Sequence, residues 1–161
     1  MILGLQRLAV DGLEKRPGNY RTGPIEIGGS SHEPPPSRAV PRLVEDLCDY
    51  VSSEWERASA FHLTAFVMWR LNWIHPFSNG NGRTSRAVSY LILCAKLGYL
   101  LPGQKTVPEL ISGDKGPYYQ ALEAADAAGL AGSLDVSAME HLLEQLLAQQ
   151  LVDIVSQASD S

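Results

Sequence analysis

The residues best suited to chemistry form one short run, His75-Pro-Phe-Ser-Asn-Gly-Asn-Gly-Arg-Thr-Ser-Arg86. A histidine can act as a general base, since its unperturbed pKa lies close to neutral pH. Gly80 and Gly82 allow backbone N–H groups to approach an anion, because no Cβ atom intervenes. Arg83 and Arg86 are three residues apart, so on a helix they share one face. The run therefore predicts a site that holds a polyphosphate beside a base.

Two predicted helices position this run. Residues 60–74 are apolar on nearly every side, which predicts a buried central helix that Pro76 brings to an end. Residues 83–97 predict a second helix, which Gly98 closes. The start of the second helix would direct unpaired amides and a positive dipole end at an anion. His75 is thereby placed at a helix end that opens onto the phosphate-binding loop.

The rest of the chain reads as helical, apart from one irregular segment. Residues 17–37 are rich in glycine and proline, and they contain one short β-like piece from Ile25 to Ile27. Ser137 and Glu140 form a candidate capping box. The leucine stripe that follows is interpreted as core packing in preference to a partner-binding face. The further helices are predicted over residues 3–15, 41–51, 117–129 and 137–154, with a connector over 102–108 and a frayed tail over 156–161.

Composition narrows the class of protein. A chain of 161 residues is most simply one domain, and its net charge of −5 without a dense Lys/Arg run argues against nucleic acid as a partner. Arg70 and Lys96 interrupt the two most apolar stretches, so no membrane span is predicted. Cys48 and Cys94 are predicted to be buried thiols rather than a disulfide, which fits a reducing, cytoplasmic location. No His/Cys/Asp cluster has the spacing of a zinc site.

The run from 75 to 86 also resembles the Fic (Fido-domain) signature H-P-F-x-[D/E]-G-N-G-R-x-x-R, of which it meets eight of nine fixed positions. Residues 17–21 and 25–36 resemble the segment that carries the target-docking flap of that family. Residues 118–126 resemble the helix that follows the motif, so the similarity covers most of 17–150. The resemblance implies a single all-α domain over residues 1–161, a compact Fic-type helical bundle with one short β-hairpin flap.

The resemblance also implies an activity. Fic proteins typically transfer AMP from ATP to a Ser, Thr or Tyr hydroxyl of a target protein, and Mg²⁺ assists at the phosphates. The motif histidine is the base of that reaction, which here is His75. Phe77 is interpreted as a packing anchor for the loop. The remaining roles carry over as an anion hole at Gly80, Asn81 and Gly82, phosphate-binding arginines at Arg83 and Arg86, and a flap edge at Ile25, Glu26 and Ile27 that docks an extended target segment.

Asn79 is the one departure from the signature, which most often has an acid there to hold Mg²⁺. A neutral carbonyl oxygen is a weaker ligand for a hard cation, so Mg²⁺ is expected to bind Asn79 only weakly. Two alternatives to AMP transfer from ATP follow: a catalytically weakened fold that binds a nucleotide or protein, and a transferase with another nucleotide-type donor. The intact stretch from Gly80 to Arg83 favours AMP transfer over the phosphate transfer of the Doc toxins.

Many Fic proteins are restrained by an inhibitory helix with the sequence [S/T]-x-x-x-E-[G/N]. Thr22 and Glu26 have the right spacing, as have Ser52 and Glu56, but neither pair is followed by the required Gly or Asn. The sequence therefore predicts that inhibition, where it occurs, comes from a separate antitoxin-like chain or from sequence outside this one.

Overall fold

The computed structural model describes residues 1–159, and in this part of the chain the regular structure is helical throughout. One short 3₁₀ turn, Ser37–Ala39, precedes the second α-helix. The α-helices are α1 Ile2–Ala9, α2 Val40–Glu54, α3 Ala60–Ile74, α4 Asn81–Leu97, α5 Val107–Gly113, α6 Gly116–Leu130 and α7 Ser137–Ser159.

The apolar helix α3 lies at the centre of the fold, as its sequence predicts. It packs most extensively against α4, and α2, α6 and α7 cover its other sides. Leu63 and Met68 are completely buried, and Leu71 is nearly so. The helix begins at the predicted residue because the Ser59 hydroxyl accepts a hydrogen bond from the His62 N–H at 2.9 Å. A helix that is apolar all round must be enclosed on every side, and the bundle satisfies this requirement.

Helix α4 begins and ends at glycines in the left-handed conformation. Gly80 (φ 79°) is the N-cap residue and Gly98 (φ 82°) is the C-cap residue. The Gly98 N–H donates to the carbonyl oxygen of Cys94 at 2.9 Å, which closes the last turn. The helix starts two residues before the predicted position 83, because its first turn includes Asn81 and Gly82.

The predicted β-hairpin flap is wrong for the described residues. Ile25, Glu26 and Ile27 adopt no strand, and the backbone hydrogen bond of this piece is a local turn from the Ser30 N–H to the Ile27 carbonyl. A strand needs a neighbouring ladder of N–H and C=O groups. The returning chain contains Pro34, Pro35 and Pro36, which have no N–H to donate, so the hairpin cannot be closed from that side.

Three further predictions about helices are corrected. Helix α1 ends at Ala9 rather than at residue 15, and Gly12 has a left-handed φ of 70° in the turn that follows. Residues 102–108 are not all connector, because Thr106 and Glu109 form a capping box that starts α5. The predicted capping box at Ser137 is wrong because the Ser137 N–H donates to Asp135 Oδ1 at 2.9 Å, while Glu140 Oε1 lies 2.7 Å from His62 Nδ1.

Two predictions about apolar side chains are partly confirmed. Both cysteines are free, but only Cys94 is buried, whereas Cys48 is exposed on α2. In the leucine stripe of α7, Leu143 and Leu147 are buried and Leu151 is exposed, so the first half of the stripe packs in the core. Helix α7 continues through Ser159, and the rest of the predicted frayed tail lies outside the described residues.

None of the helices within residues 1–159 is both long enough and apolar enough to cross a membrane.

Helix α1 belongs to the core, because its residue Ile2 is buried in the main hydrophobic cluster.

Candidate functional site

His75 occupies the end of α3 in an unusual backbone conformation. Its φ of 49° makes it the one non-glycine residue with a positive φ in the described part of the chain. The His75 N–H still donates to the Leu71 carbonyl oxygen at 3.0 Å, so the residue terminates the helix in a left-handed turn. A β-carbon disfavours this conformation, which the surrounding contacts must therefore stabilise.

The guanidinium group of Arg21 supplies those contacts. Its side chain is buried, and its Nε donates to the His75 carbonyl oxygen at 2.7 Å while one Nη donates to the Ile74 carbonyl oxygen at 3.3 Å. The Nη atoms of Arg21 also donate to the carbonyl oxygens of Gly23 and Pro35, which belong to the irregular segment. The Arg21 side chain therefore ties residues 17–37 to the carboxyl end of α3, where the helix dipole favours a positive charge.

The hydrogen bond made by the His75 ring determines which nitrogen can act as a base. Nδ1 lies 3.2 Å from the Asn72 carbonyl oxygen, and a carbonyl can only accept, so Nδ1 carries the proton and Nε2 keeps its lone pair. Burial lowers the pKa of the His75 imidazole, the hydrogen bond to Asn72 opposes this, and the charges of Arg21 and His32 lower it further. The imidazole is thus held neutral at neutral pH, as a general base requires.

The side chain of Asn81 fixes the loop after His75. Its Oδ1 accepts from the Phe77 N–H at 2.9 Å, and its Nδ2 donates to the Phe77 carbonyl oxygen at 2.7 Å. Both residues are buried, and the Phe77 ring packs against Tyr20 with 5.8 Å between the ring centroids. Asn81 therefore closes the loop on itself through its side chain, and only its backbone N–H remains for a ligand.

Helix α1 covers the other side of this loop. The buried Gln6 side chain donates from Nε2 to the Asn79 carbonyl oxygen at 3.1 Å. A β-carbon at Gly80 would lie 2.4 Å from Cγ1 of the buried Val10, so only glycine fits between the loop and this residue. Gly80 is thus required by packing as well as by its left-handed conformation.

The N-terminus of α4 is open to a ligand. No side chain caps it, and its first intrahelical bond runs from the Thr84 N–H to the Gly80 carbonyl oxygen at 2.9 Å. The backbone N–H groups of Asn81, Gly82 and Arg83 precede that bond and have no acceptor within the helix. Together with the helix dipole, they form the kind of site that binds phosphate groups.

Arg83 and Arg86 lie beside this helix start. Arg83 is exposed and Arg86 is half-buried, and within residues 1–159 neither guanidinium is paired with a carboxylate. A β-carbon at Gly82 would lie 3.2 Å from an Nη atom of Arg86, which places that guanidinium directly beside the first turn. The two arginines line a shallow groove with Leu5 and Tyr90, on the outer side of α4.

His75 lines a different concavity, a cavity of about 210 Å³. Sites for complete small molecules usually enclose about 300–1,000 Å³, so this cavity fits one part of a nucleotide rather than all of it. Asp126 faces it, with one carboxylate oxygen accepting from the Trp69 indole N–H at 2.7 Å. The other principal lining residues are Ile27, Gly28, His32, Trp73, Tyr119 and Glu123.

A buried hydrogen-bond network links three helices beside the cavity. The Asn72 side chain, which lines the cavity, lies 2.7 Å from the Tyr118 hydroxyl and 2.8 Å from the Ser85 hydroxyl. Burial raises the pKa of the Tyr118 hydroxyl, and interactions with Ser85, Arg86 and Asn72 oppose that rise. Helices α3, α4 and α6, which carry Asn72, Ser85 and Tyr118, are therefore held in one arrangement next to His75.

Sequence reasoning did not assign Gln6 or Asn72 to the site, and it left the role of Arg21 open. Asn72 carried a signal, because it is an amide within an otherwise apolar helix, and such a group needs partners when it is buried. Gln6 and Arg21 carried no comparable signal, because their partners are backbone groups distant in sequence.

A model of the Fic/DOC family matches residues 1–93. The chain belongs to the Fic/DOC family. Over 115 residues it is 30% identical to the Protein adenylyltransferase Fic of Drosophila willistoni, an alignment that covers 68% of this chain and 20% of the relative. It is 33% identical over 82 residues to a probable protein adenylyltransferase of Aquifex aeolicus, which covers 48% of this chain and 24% of that protein. The Fic/DOC chain thus spans about a fifth of the Drosophila relative's length.

Solved structures share the fold of this Fic/DOC chain. A Fic family protein from Desulfovibrio desulfuricans superposes with a TM-score of 0.77 at 28% identity, covering 98% of this chain and 46% of that one. Fic-1 from C. elegans superposes with a TM-score of 0.75 at 21% identity, covering 99% of this chain and 44% of that one. The helical bundle is therefore that of the family along nearly the whole of this chain.

We predict that Gly80→Ala destabilises the Fic/DOC chain more than Gly98→Ala does. Both glycines are left-handed, but only a β-carbon at position 80 meets a neighbour. The left-handed conformation costs alanine about 1–2 kcal/mol at either position, and the clash with Val10 adds about 1–3 kcal/mol at position 80. Urea unfolding of both variants measures the difference. Equal losses of unfolding free energy would show that α1 does not pack on the loop as described.

We predict that Arg21→Lys lowers the free energy of unfolding by about 1–3 kcal/mol. An ammonium group lacks the planar fork of the guanidinium, so it cannot reach all of these carbonyl oxygens, and some of them are left buried without a donor. Arg16→Lys, at an exposed position just before the irregular segment, is the matched control and should change the stability by less than about 0.5 kcal/mol. Chemical unfolding measures both. A tolerated lysine at position 21 would contradict the anchoring role of Arg21.

Proposed function

We propose that this chain transfers AMP from ATP to a hydroxyl group of a target protein, with His75 as the general base. The observation that carries the proposal is the hydrogen bond from His75 Nδ1 to the Asn72 carbonyl oxygen, which leaves Nε2 free to accept a proton. That ring lies one short loop away from the open N-terminus of α4. The names of the Drosophila and Aquifex relatives, both adenylyltransferases, support the same reaction.

The proposed reaction is one in-line displacement at phosphorus. The hydroxyl oxygen of the target attacks the α-phosphorus of ATP as His75 Nε2 accepts its proton. The bond from that phosphorus to the bridging oxygen of the β-phosphate breaks, and pyrophosphate leaves. Negative charge develops on the phosphate oxygens, where the amides at the start of α4 and the guanidinium of Arg86 would stabilise it. A preorganised donor of this kind is worth about 3–4 kcal/mol.

The cavity beside His75 is the proposed position of the adenine ring. Its size and its aromatic lining, which includes Trp73 and Tyr119, suit one flat ring system. Adenine carries an exocyclic amino group, and the carboxylates of Glu123 and Asp126 are acceptors on the same wall. With the base in this cavity, the phosphates would extend past His75 towards α4.

The irregular segment is the proposed docking surface for the target. Ile25 and Ile27 are half-buried and Glu26 is exposed, and the backbone of this piece has no neighbouring strand in the described structure. An extended target segment could pair with such a free edge and present its hydroxyl to His75. Ile27 lines the same cavity as His75, which keeps the docking edge close to the base. Control by a separate inhibitory chain stays a prediction from the sequence.

We predict that the chain labels proteins of a cell lysate when incubated with α-labelled ATP and that His75→Ala lowers the labelling at least about 100-fold, as expected for loss of a general base. His141→Ala, at an exposed position on α7, is the matched control and should label normally. ATP labelled at the γ-phosphate should give no label that depends on His75, because pyrophosphate leaves. His75-dependent labelling from the γ-phosphate would mean phosphate transfer, and no His75-dependent labelling together with ATP binding would favour a catalytically silent binding module.

We predict that the initial rate of labelling falls on the acid side with a midpoint below the ordinary histidine pKa of about 6.5. Protonated His75 cannot accept a proton from the target, and burial lowers the pKa of its imidazole. The active, neutral form therefore persists to a lower pH than for a free histidine. Rates measured at low concentrations of ATP and target follow kcat/KM and report the free enzyme. An acid midpoint above the ordinary value would contradict a buried, neutral base.

A further inference from the structure

The side chain of Asn79 makes its hydrogen bond to an arginine. Its Oδ1 accepts from an Nη of Arg83, four residues later, at 3.4 Å. Its backbone carbonyl oxygen is held by Gln6 at 3.1 Å. The position at which the signature most often carries an acid therefore points its only side-chain acceptor at a cation of the protein.

The donor set around this loop does not fit Mg²⁺. Mg²⁺ in nucleotide sites is usually held by one or two carboxylates together with the phosphates. Glu14 is the carboxylate that contacts the loop, and its two oxygens accept from the Lys15 N–H at 2.8 Å and the Ser78 hydroxyl at 3.2 Å.

A neutral partner has a different effect on Arg83 from that of an acid. A carboxylate at position 79 would neutralise the guanidinium charge and repel a phosphate. An amide oxygen orients the guanidinium and leaves its full positive charge for the ligand. Arg83 is exposed, and in the described part of the chain it has no carboxylate partner, so its charge is available at the start of α4.

We propose that Asn79 is a positioning residue that aims Arg83 at the phosphates of the donor nucleotide, and that this chain therefore binds a nucleoside triphosphate without a divalent cation. The charge that Mg²⁺ would neutralise is met by Arg83, Arg86 and the amides at the start of α4. This inference rests on the proposed function, because it concerns the same nucleotide site.

The test measures ATP binding rather than transfer. Isothermal titration of ATP into the His75→Ala variant, which cannot consume the nucleotide by transfer, is carried out with MgCl₂ and again with EDTA. The dissociation constants in the two conditions should agree within about threefold, a small difference on the affinity scale.

Substitutions at position 79 in the same background separate positioning from stability. His75→Ala/Asn79→Asp should bind ATP at least about 10-fold more weakly in EDTA, because the new carboxylate pairs with Arg83, and MgCl₂ should restore the binding. His75→Ala/Asn79→Ala should lose about 3–10-fold in both conditions, because the guanidinium loses its partner. A purely structural role of Asn79 would change the unfolding midpoint but not the dependence on Mg²⁺. His75→Ala/Gln104→Glu adds the same charge at an exposed position of the connector between α4 and α5 and controls for charge alone.

The outcomes distinguish this inference from the proposed function. ATP binding by His75→Ala that requires MgCl₂ would overturn the cation-independent site and leave the transferase proposal standing. A Mg²⁺ dependence that is the same with Asn and Asp at position 79 would overturn the role of Asn79. An absence of ATP binding in both conditions, with the folded state retained, would overturn the nucleotide site itself and both proposals with it.

Discussion

The site depends on one buried cation whose partners are carbonyl oxygens. The guanidinium of Arg21 donates to the last carbonyl groups of α3 and to two carbonyl groups of the irregular segment. A charge removed from water without hydrogen bonds would be prohibitively unstable. The open end of a helix supplies unsatisfied, partially negative oxygens in the right place. This pairing explains how the glycine- and proline-rich segment keeps a defined position without a strand, and how His75 keeps its left-handed turn.

A second group of contacts makes the loop between His75 and α4 rigid. Asn81 closes the loop through Phe77, Gln6 holds the Asn79 carbonyl group, and Val10 packs against Gly80. Donors that are fixed before a ligand arrives stabilise developing charge without reorganising. Helix α1 carries no residue of the signature, yet Gln6 on this helix and Val10 just after it fix the loop in place.

His75 and the two arginines line different concavities, and the network around Asn72 holds together the helices that carry them. An extended ligand with a flat ring at one end and negative charges at the other matches this division, and a nucleoside triphosphate has that shape and charge. The amide at position 79 marks how this member of the family differs, since it faces Arg83 instead of offering a carboxylate. The chain spans about a fifth of the length of its Drosophila relative.

By itself, the sequence determined the features that depend on neighbours along the chain. The apolar character of residues 60–74 with Pro76 after them predicted the limits of α3, and the glycine at position 98 predicted the end of α4. The residue types and spacing from His75 to Arg86 predicted the family. Helix periods and caps are local, so they can be recognised without a fold. Only the tertiary structure decided that residues 25–27 form no strand, that Arg21 anchors His75, and that Gly80 is required by Val10. Each of these depends on a partner distant in sequence, and no local pattern specifies which distant group will fill that space.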